Sequence, residues 1–146
     1  MSHKPIRQAV ILCAGLGTRL KPLTDTIPKP MIPLLGKPML EWNIEHFKRH
    51  GVNEFFLNLH HLPDVIRNYF GDGSKFGVRI HYSFEPTILG TAGGLKNFSA
   101  EGGSASGGEG KLDDEFYVIY GDILSLVDYT KMSSSFREKR DPIGMQ

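Results

Sequence analysis

The stretch "AVILCAGLGTRL", residues 9 to 20, joins an apolar run to a glycine loop. Ala9 to Cys13 form an unbroken apolar run, and glycines follow at positions 15 and 17. A strand with one wet face would alternate apolar and polar residues. An uninterrupted run instead predicts a central strand of a parallel sheet, covered on both faces. The glycines that close it predict a sharp loop at the strand's carboxyl end, which is where open parallel sheets hold their ligands.

The proline-dense "IPKPMIP" at 27–33 excludes a regular helix, and the prolines flanking Lys29 predict a stiff, extended holder for that lysine. Pro38 suits a first helical position. From it, Leu40, Ile44 and Phe47 recur at helical spacing until Gly51. "EFFLNLH" (54–60) reads as a second strand, Pro63 opens a helix whose Val65, Ile66, Tyr69 and Phe70 share a face, and "GDGSKFG" turns into a third strand, "VRIHYS" (78–83). A short helix is predicted at 91–97 and a fourth strand in "EFYVIYGD" (115–122), with an amphipathic helix at 128–140. Between them, "SAEGGSASGGEG" (99–110) is too small and polar to bury surface and predicts a flexible loop within a single domain spanning 1–146. Strands alternating with helices give an α/β chain with a mostly parallel sheet.

The 146 residues have the composition of an ordinary globular chain. Cys13 is the sole cysteine, so no internal disulfide forms, and the opening "MSHKPIRQAVILCAG" is too briefly apolar for a signal peptide or a membrane span. A cytoplasmic protein without membrane partners is expected. Net charge is +1, yet residues 1–50 carry eight Lys/Arg against three Asp/Glu, and residues 51–146 carry nine against thirteen. The first third is therefore suited to an anion. Zinc-finger spacing, aromatic-basic interleaving and a basic helix are all missing, which argues against nucleic acid and for a small phosphorylated ligand.

"GLGTRL" lacks the third glycine of a dinucleotide-binding fingerprint, since Leu20 stands there, and no acidic residue ends the second strand to hold a ribose. The pattern G-x-x-x-x-G-K-[ST] is missing too. What remains is a loop in which Gly15 and Gly17 let the backbone bend and present N–H groups to phosphate oxygens, while Thr18 adds a hydroxyl and Arg19 a forked cation. A plain turn after a strand is the alternative. Lys29, held between Pro28 and Pro30 close behind this loop, favours the anion site.

The combined stretch "GLGTRLKPLTDTIPKP", residues 15 to 30, resembles the signature of sugar-1-phosphate nucleotidyltransferases. The resemblance continues in order through "GKPMLEWNIEHFKRHGV" (36–52), "GDGSKFGVRIHYSFEP" (71–86), "LGTAGGLK" (89–96) and "YGD" (120–122). Its pattern is most like mannose- or heptose-1-phosphate guanylyltransferases and N-acetylmuramate-1-phosphate uridylyltransferases. It implies a Rossmann-like three-layer αβα fold, with the four strands in the order 3-2-1-4. It also implies attack of a sugar-1-phosphate on the α-phosphorus of a nucleoside triphosphate, releasing pyrophosphate. Arg19, Lys29 and Asp122 would be catalytic. Leu12, Ala14, Gly15, Leu16, Gly17, Thr18, Arg19, Glu85, Gly90, Thr91 and Gly121 would bind the nucleotide, and Asp122 would hold Mg²⁺. An aspartate that merely caps the next turn is the duller reading of Asp122. Relatives often carry asparagine where Tyr120 stands, which puts an asparagine contact to the sugar in question.

Two acceptor oxygens on Glu85 would suit the neighbouring N–H donors of guanine, so GTP is the favoured triphosphate and UTP the alternative; the bland reading of Glu85 is a solvated strand-end acid. His46 and His50 lack the glutamate of H-E-x-x-H and read as a solvated helix face, His60 and His61 as a surface turn beside the cleft, and Cys13 as a small buried residue. The family's catalytic domain extends beyond a fourth strand, so the fold reads as truncated there. The expectations are a fragment, a chain completed by a second copy, or a nucleotide-binding module without turnover. A homodimer is expected from the open sheet edge.

Overall fold

A computed structural model describes residues 4–98 and 110–139. In chain order the elements are β1 (Gln8–Leu12), the short strands β2 (Pro33–Leu34) and β3 (Lys37–Pro38), α1 (Met39–Arg49), β4 (Glu54–Leu59), α2 (Pro63–Phe70), β5 (Arg79–Phe84), α3 (Gly90–Lys96), β6 (Tyr117–Tyr120) and α4 (Tyr129–Lys139). The expected flexible loop at 99–110 lies outside the described residues except for Gly110, as does residue 140 of the last expected helix.

Four strands form one sheet in the order β5-β4-β1-β6, every pair parallel, with Ala9 opposite both Phe55 and Tyr117. This is the 3-2-1-4 order. β1 is buried along its whole length because each face meets its own cluster. Ala9 and Ile11 pack with Leu40, Ile44 and Phe47 of α1, Ile66 and Phe70 of α2 and Tyr129 of α4; Val10 and Leu12 pack with Phe56 and Phe98. The layering follows from handedness. Right-handed crossovers from β1 through β5 march one way and put α1 and α2 on one face, and the return to β6 must then cross on the other.

Two local features depart from expectation. The segment 18–31 is not extended: it folds into three short 3₁₀ turns, Thr18–Leu20, Leu23–Asp25 and Lys29–Met31. Pro28 is extended (φ −65°, ψ 144°) and caps the third turn, while Pro30 sits inside it, where its fixed φ is compatible and no N–H is needed. Then β2 and β3 form a tiny antiparallel ribbon, closed by Leu35 and Gly36 with positive φ, that leads straight into α1.

His46 on α1 and His50, which caps it, also differ from a solvated face. His46 Nε2 lies 2.8 Å from the Val127 carbonyl and His50 Nδ1 3.0 Å from Thr130 Oγ1, so both clasp the start of α4. Stacking of Phe47 on Tyr129, with centroids 4.0 Å apart, and the Tyr117 hydroxyl donating to the Tyr129 carbonyl (2.8 Å) complete that dock. Arg137 ties the far end of α4 to the Glu115 carboxylate and the Lys4 carbonyl. Beyond β6 no further strand follows among the described residues, and Val118, Tyr120, Ile123, Leu124, Leu126, Met132 and Phe136 are left exposed. Among the described residues no helix is long and apolar enough to cross a membrane.

Candidate active site

A cleft of about 210 Å³ opens at the carboxyl ends of the strands. It lies where the chain direction across the sheet reverses, the expected ligand position in an open α/β sheet. Its wall begins with Leu12, Cys13, Ala14 and Gly15 as β1 runs out. Gly15 has open space where a Cβ would stand, so nothing in the fold itself requires glycine there; a ligand approaching the backbone would. Gly17 is fixed differently. Its φ is +63°, a Cβ would lie 2.8 Å from Thr24 Cγ2, and the Thr24 hydroxyl donates to the Gly17 carbonyl at 2.8 Å. That interlock explains why a threonine follows the glycine by seven residues.

Lys29 reaches from its 3₁₀ turn to the opposite side of the cleft and pairs with the Asp122 carboxylate. Both side chains are 29 % exposed, so the pair is reachable from solvent. Asp122 is aimed by Gly121, whose N–H donates to the Leu12 carbonyl (2.9 Å) and where any Cβ would meet Cys13 Sγ at 2.8 Å. Cys13 beneath is buried. Burial first, and the Asp122 charge second, push its thiol far above the ordinary value, so it is inert padding.

The far wall is made by Asn58, Glu85, Ile88, Gly90 and Thr91. Tyr120 closes across it, its hydroxyl 3.0 Å from Thr91 Oγ1, and so links β6 to α3. Glu85 is 1 % exposed, which rules out a solvated strand-end acid. Both of its carboxylate oxygens are engaged, by Asn58 Nδ2 at 2.9 Å and by the Leu89 N–H at 3.1 Å. Free acceptors for a guanine edge are therefore not what this geometry offers at position 85.

Of the residues expected from sequence, Leu12, Ala14, Gly15, Lys29, Glu85, Gly90, Thr91 and Asp122 converge on the cleft. Leu16, Gly17, Thr18, Arg19 and Gly121 are not among its lining residues; Leu16, Thr18 and Arg19 are exposed on the loop that follows Gly15, and Arg19 has no ion pair among the described residues. Asn58 and Tyr120 were not anticipated as cleft residues. His60 and His61 bond the carbonyls of Glu85 and Thr24, each at 2.6 Å, and so brace two of the loops that meet at the cleft.

The nucleotidyl transferase family model matches residues 8–146. The chain belongs to the nucleotidyl transferase family. It is 43 % identical over 141 residues to a UTP–glucose-1-phosphate uridylyltransferase of Synechocystis sp., covering 90 % of this chain and 34 % of that protein. It is 39 % identical to a D-glycero-alpha-D-manno-heptose 1-phosphate guanylyltransferase of Campylobacter jejuni, covering 86 % and 52 %. Among solved structures it resembles HddC from Yersinia pseudotuberculosis complexed with GMP-PN, with a TM-score of 0.74 and 32 % identity over 90 % of this chain and 54 % of the other. The chain thus spans about a third to a half of the length of these nucleotidyl transferases.

No cluster of three or more His, Cys, Asp or Glu able to hold a metal occurs among the described residues. A magnesium ion bridging phosphates needs few protein carboxylates, and Asp122, reachable and at the end of a strand, supplies one. The donor set fits an ion that arrives with a triphosphate rather than one caged by protein.

Proposed function

We propose that this chain carries the nucleotide-binding part of a sugar-1-phosphate nucleotidyltransferase, taking a nucleoside triphosphate and a sugar-1-phosphate to a nucleotide-sugar and pyrophosphate. The observation that carries the reading is the Lys29–Asp122 pair set against the backbone of Gly15 in one cleft. In this reading the loop from Leu12 to Arg19, with Gly121, cradles the phosphates. Gly90 and Thr91 face the base and ribose. Arg19 and Lys29 neutralise charge developing on the leaving pyrophosphate, and Asp122 would hold Mg²⁺, which would supply further charge neutralisation.

The chemistry needs no general base. A phosphate monoester has its second pKa near ~6, so the attacking oxygen is already anionic at neutral pH. The chain's task is to bring anions together in line and hold them, which suits backbone N–H groups and fixed cations better than a nucleophilic triad. The preference for GTP rested on free Glu85 oxygens and loses that support. Relatives named for guanylyl and for uridylyl transfer both stand close to this chain. We assign the base to guanine or uracil. A cytoplasmic location is part of this reading, supported by a lone buried Cys13 and by a nucleoside triphosphate as substrate.

Calorimetric titration with GTP, UTP, ATP and CTP, with and without magnesium, tests the reading. Magnesium-dependent binding of GTP or UTP is the expected outcome, and binding of none of the four removes it. The 146-residue polypeptide spans only part of its relatives' length, so binding without appreciable pyrophosphate release is expected, because in-line positioning of the second substrate carries roughly 7–11 kcal/mol of barrier reduction.

A further inference from the structure

Two buried side chains in the cleft wall, Asn58 (3 % exposed) and Glu85 (1 %), join segments far apart in sequence. The Cys13 N–H, first on the phosphate loop after β1, donates to Asn58 Oδ1 at 2.8 Å. Asn58 Nδ2 donates to Glu85 Oε1 at 2.9 Å, and the Leu89 N–H, just before α3, donates to Glu85 Oε2 at 3.1 Å. The chain of bonds has a fixed direction. It begins and ends on backbone N–H groups, which only donate, so the middle must contain one residue that both accepts and donates and one that accepts twice. Asparagine and a carboxylate fill those two places.

The relay is also tightly enclosed. A Cβ on Gly94 would lie 2.7 Å from Asn58 Nδ2 and 3.0 Å from Glu85 Oε1, so α3 rests its bare backbone directly on the link. Asn58 sits in register with Leu12 on one side and Ser83 on the other, spanning β1 to β5. Nothing but this relay, among the described hydrogen bonds, ties the Cys13 N–H to the segment that opens α3.

We propose that Asn58 and Glu85 are positioning residues: their one-way relay sets the spacing between the phosphate loop and the loop that opens α3, so that one nucleotide spans both. The functional part of this proposal rests on the nucleotide reading above. Direction gives it a specific consequence. Glu85→Gln sets an amide donor against a donor, and Asn58→Asp sets two carboxylates at hydrogen-bond distance. In Asn58→Asp/Glu85→Gln the order is restored: the aspartate accepts from the Cys13 N–H and from the new amide, whose oxygen accepts from the Leu89 N–H. Net charge is unchanged by the exchange.

The experiment measures GTP and UTP affinity, amide exchange at Cys13 and Leu89, and thermal unfolding for the full chain, both single variants and the double variant. The expected result is that each folded single variant binds about tenfold or more weakly, with faster exchange at both amides, and that the double variant recovers both. If a single variant does not fold, recovery of folding and affinity in the double variant still supports the relay, and a double variant that stays unfolded overturns it. Folded single variants with normal affinity, or a double variant no better than its parents, also overturn it. A native chain that binds no nucleotide instead rejects the nucleotide reading, while the amide exchange still judges the relay.

Discussion

Lys29 and Asp122 pair across the cleft; under the proposed function, a triphosphate with its cation would offer each of them a new partner on the way to the transition state. Removing one preorganised charge from such a transition state costs on the order of a hundredfold in turnover. Lys29→Ala and Arg19→Ala are each expected to lose about that much in any active form, with unfolding unchanged; near-normal rates in either would end the anion-site reading of that residue. Cys13 gives a pH test. Its folded value is raised above the ordinary 9.0, so above that pH the unfolded chain has lost a proton that the folded chain keeps. The thiol's contribution to stability is full below pH 9.0 and is lost as pH rises beyond it. Alkylation by iodoacetamide is accordingly expected to spare Cys13 in the native chain and to label it in urea. Asn58 shows why such a residue escapes sequence reading. A lone asparagine in "EFFLNLH" carries no sign of its partners, which lie 45 and 27 residues away.

At the scale of elements, β1 and α1 were plain in the sequence for physical reasons. A strand flanked in parallel on both sides must be apolar on both faces, and a helix entered at Pro38 and left at Gly51 carries its own boundaries. The ribbon of β2 and β3 was not, because two residues per strand show no period. The turns at 18–31 were hidden by prolines, which fit extended chain and 3₁₀ turns equally well. His46 and His50 read as solvated because the element they clasp is supplied by Val127 and Thr130, on the other side of the sheet's last strand in sequence. The 3₁₀ turns depend on Gly17. Gly17→Ala forces a side chain into a left-handed conformation and against Thr24, and is expected to cost about 1–2 kcal/mol or more and to weaken nucleotide binding; calorimetric melting and titration measure both. Unchanged melting would show that the loop re-forms without the interlock.

At the scale of the whole molecule, the sheet ends in two edge strands, β5 and β6, each paired on one side only among the described residues. β6 offers an unpaired edge, and the segment after it exposes Leu126 (90 %), Ile123, Leu124 and, from α4, Phe136. Such a surface favours association, so the 146-residue polypeptide is expected to sediment as a dimer or larger, and Leu126→Glu with Phe136→Glu to shift it toward monomer. A native chain that sediments as a monomer at all concentrations would show that this edge is tolerated by itself. The order of strands has a further consequence, in time rather than in space. β1 is made before every other strand of its sheet, yet it sits in the middle, with β4 on one side and β6 on the other. During synthesis its apolar run therefore waits, one flank unpaired, until Tyr117–Tyr120 emerges from the ribosome. A nascent chain stalled before that point should remain accessible to chaperones through residues 8–12, and should let go of them once β6 has cleared the exit tunnel.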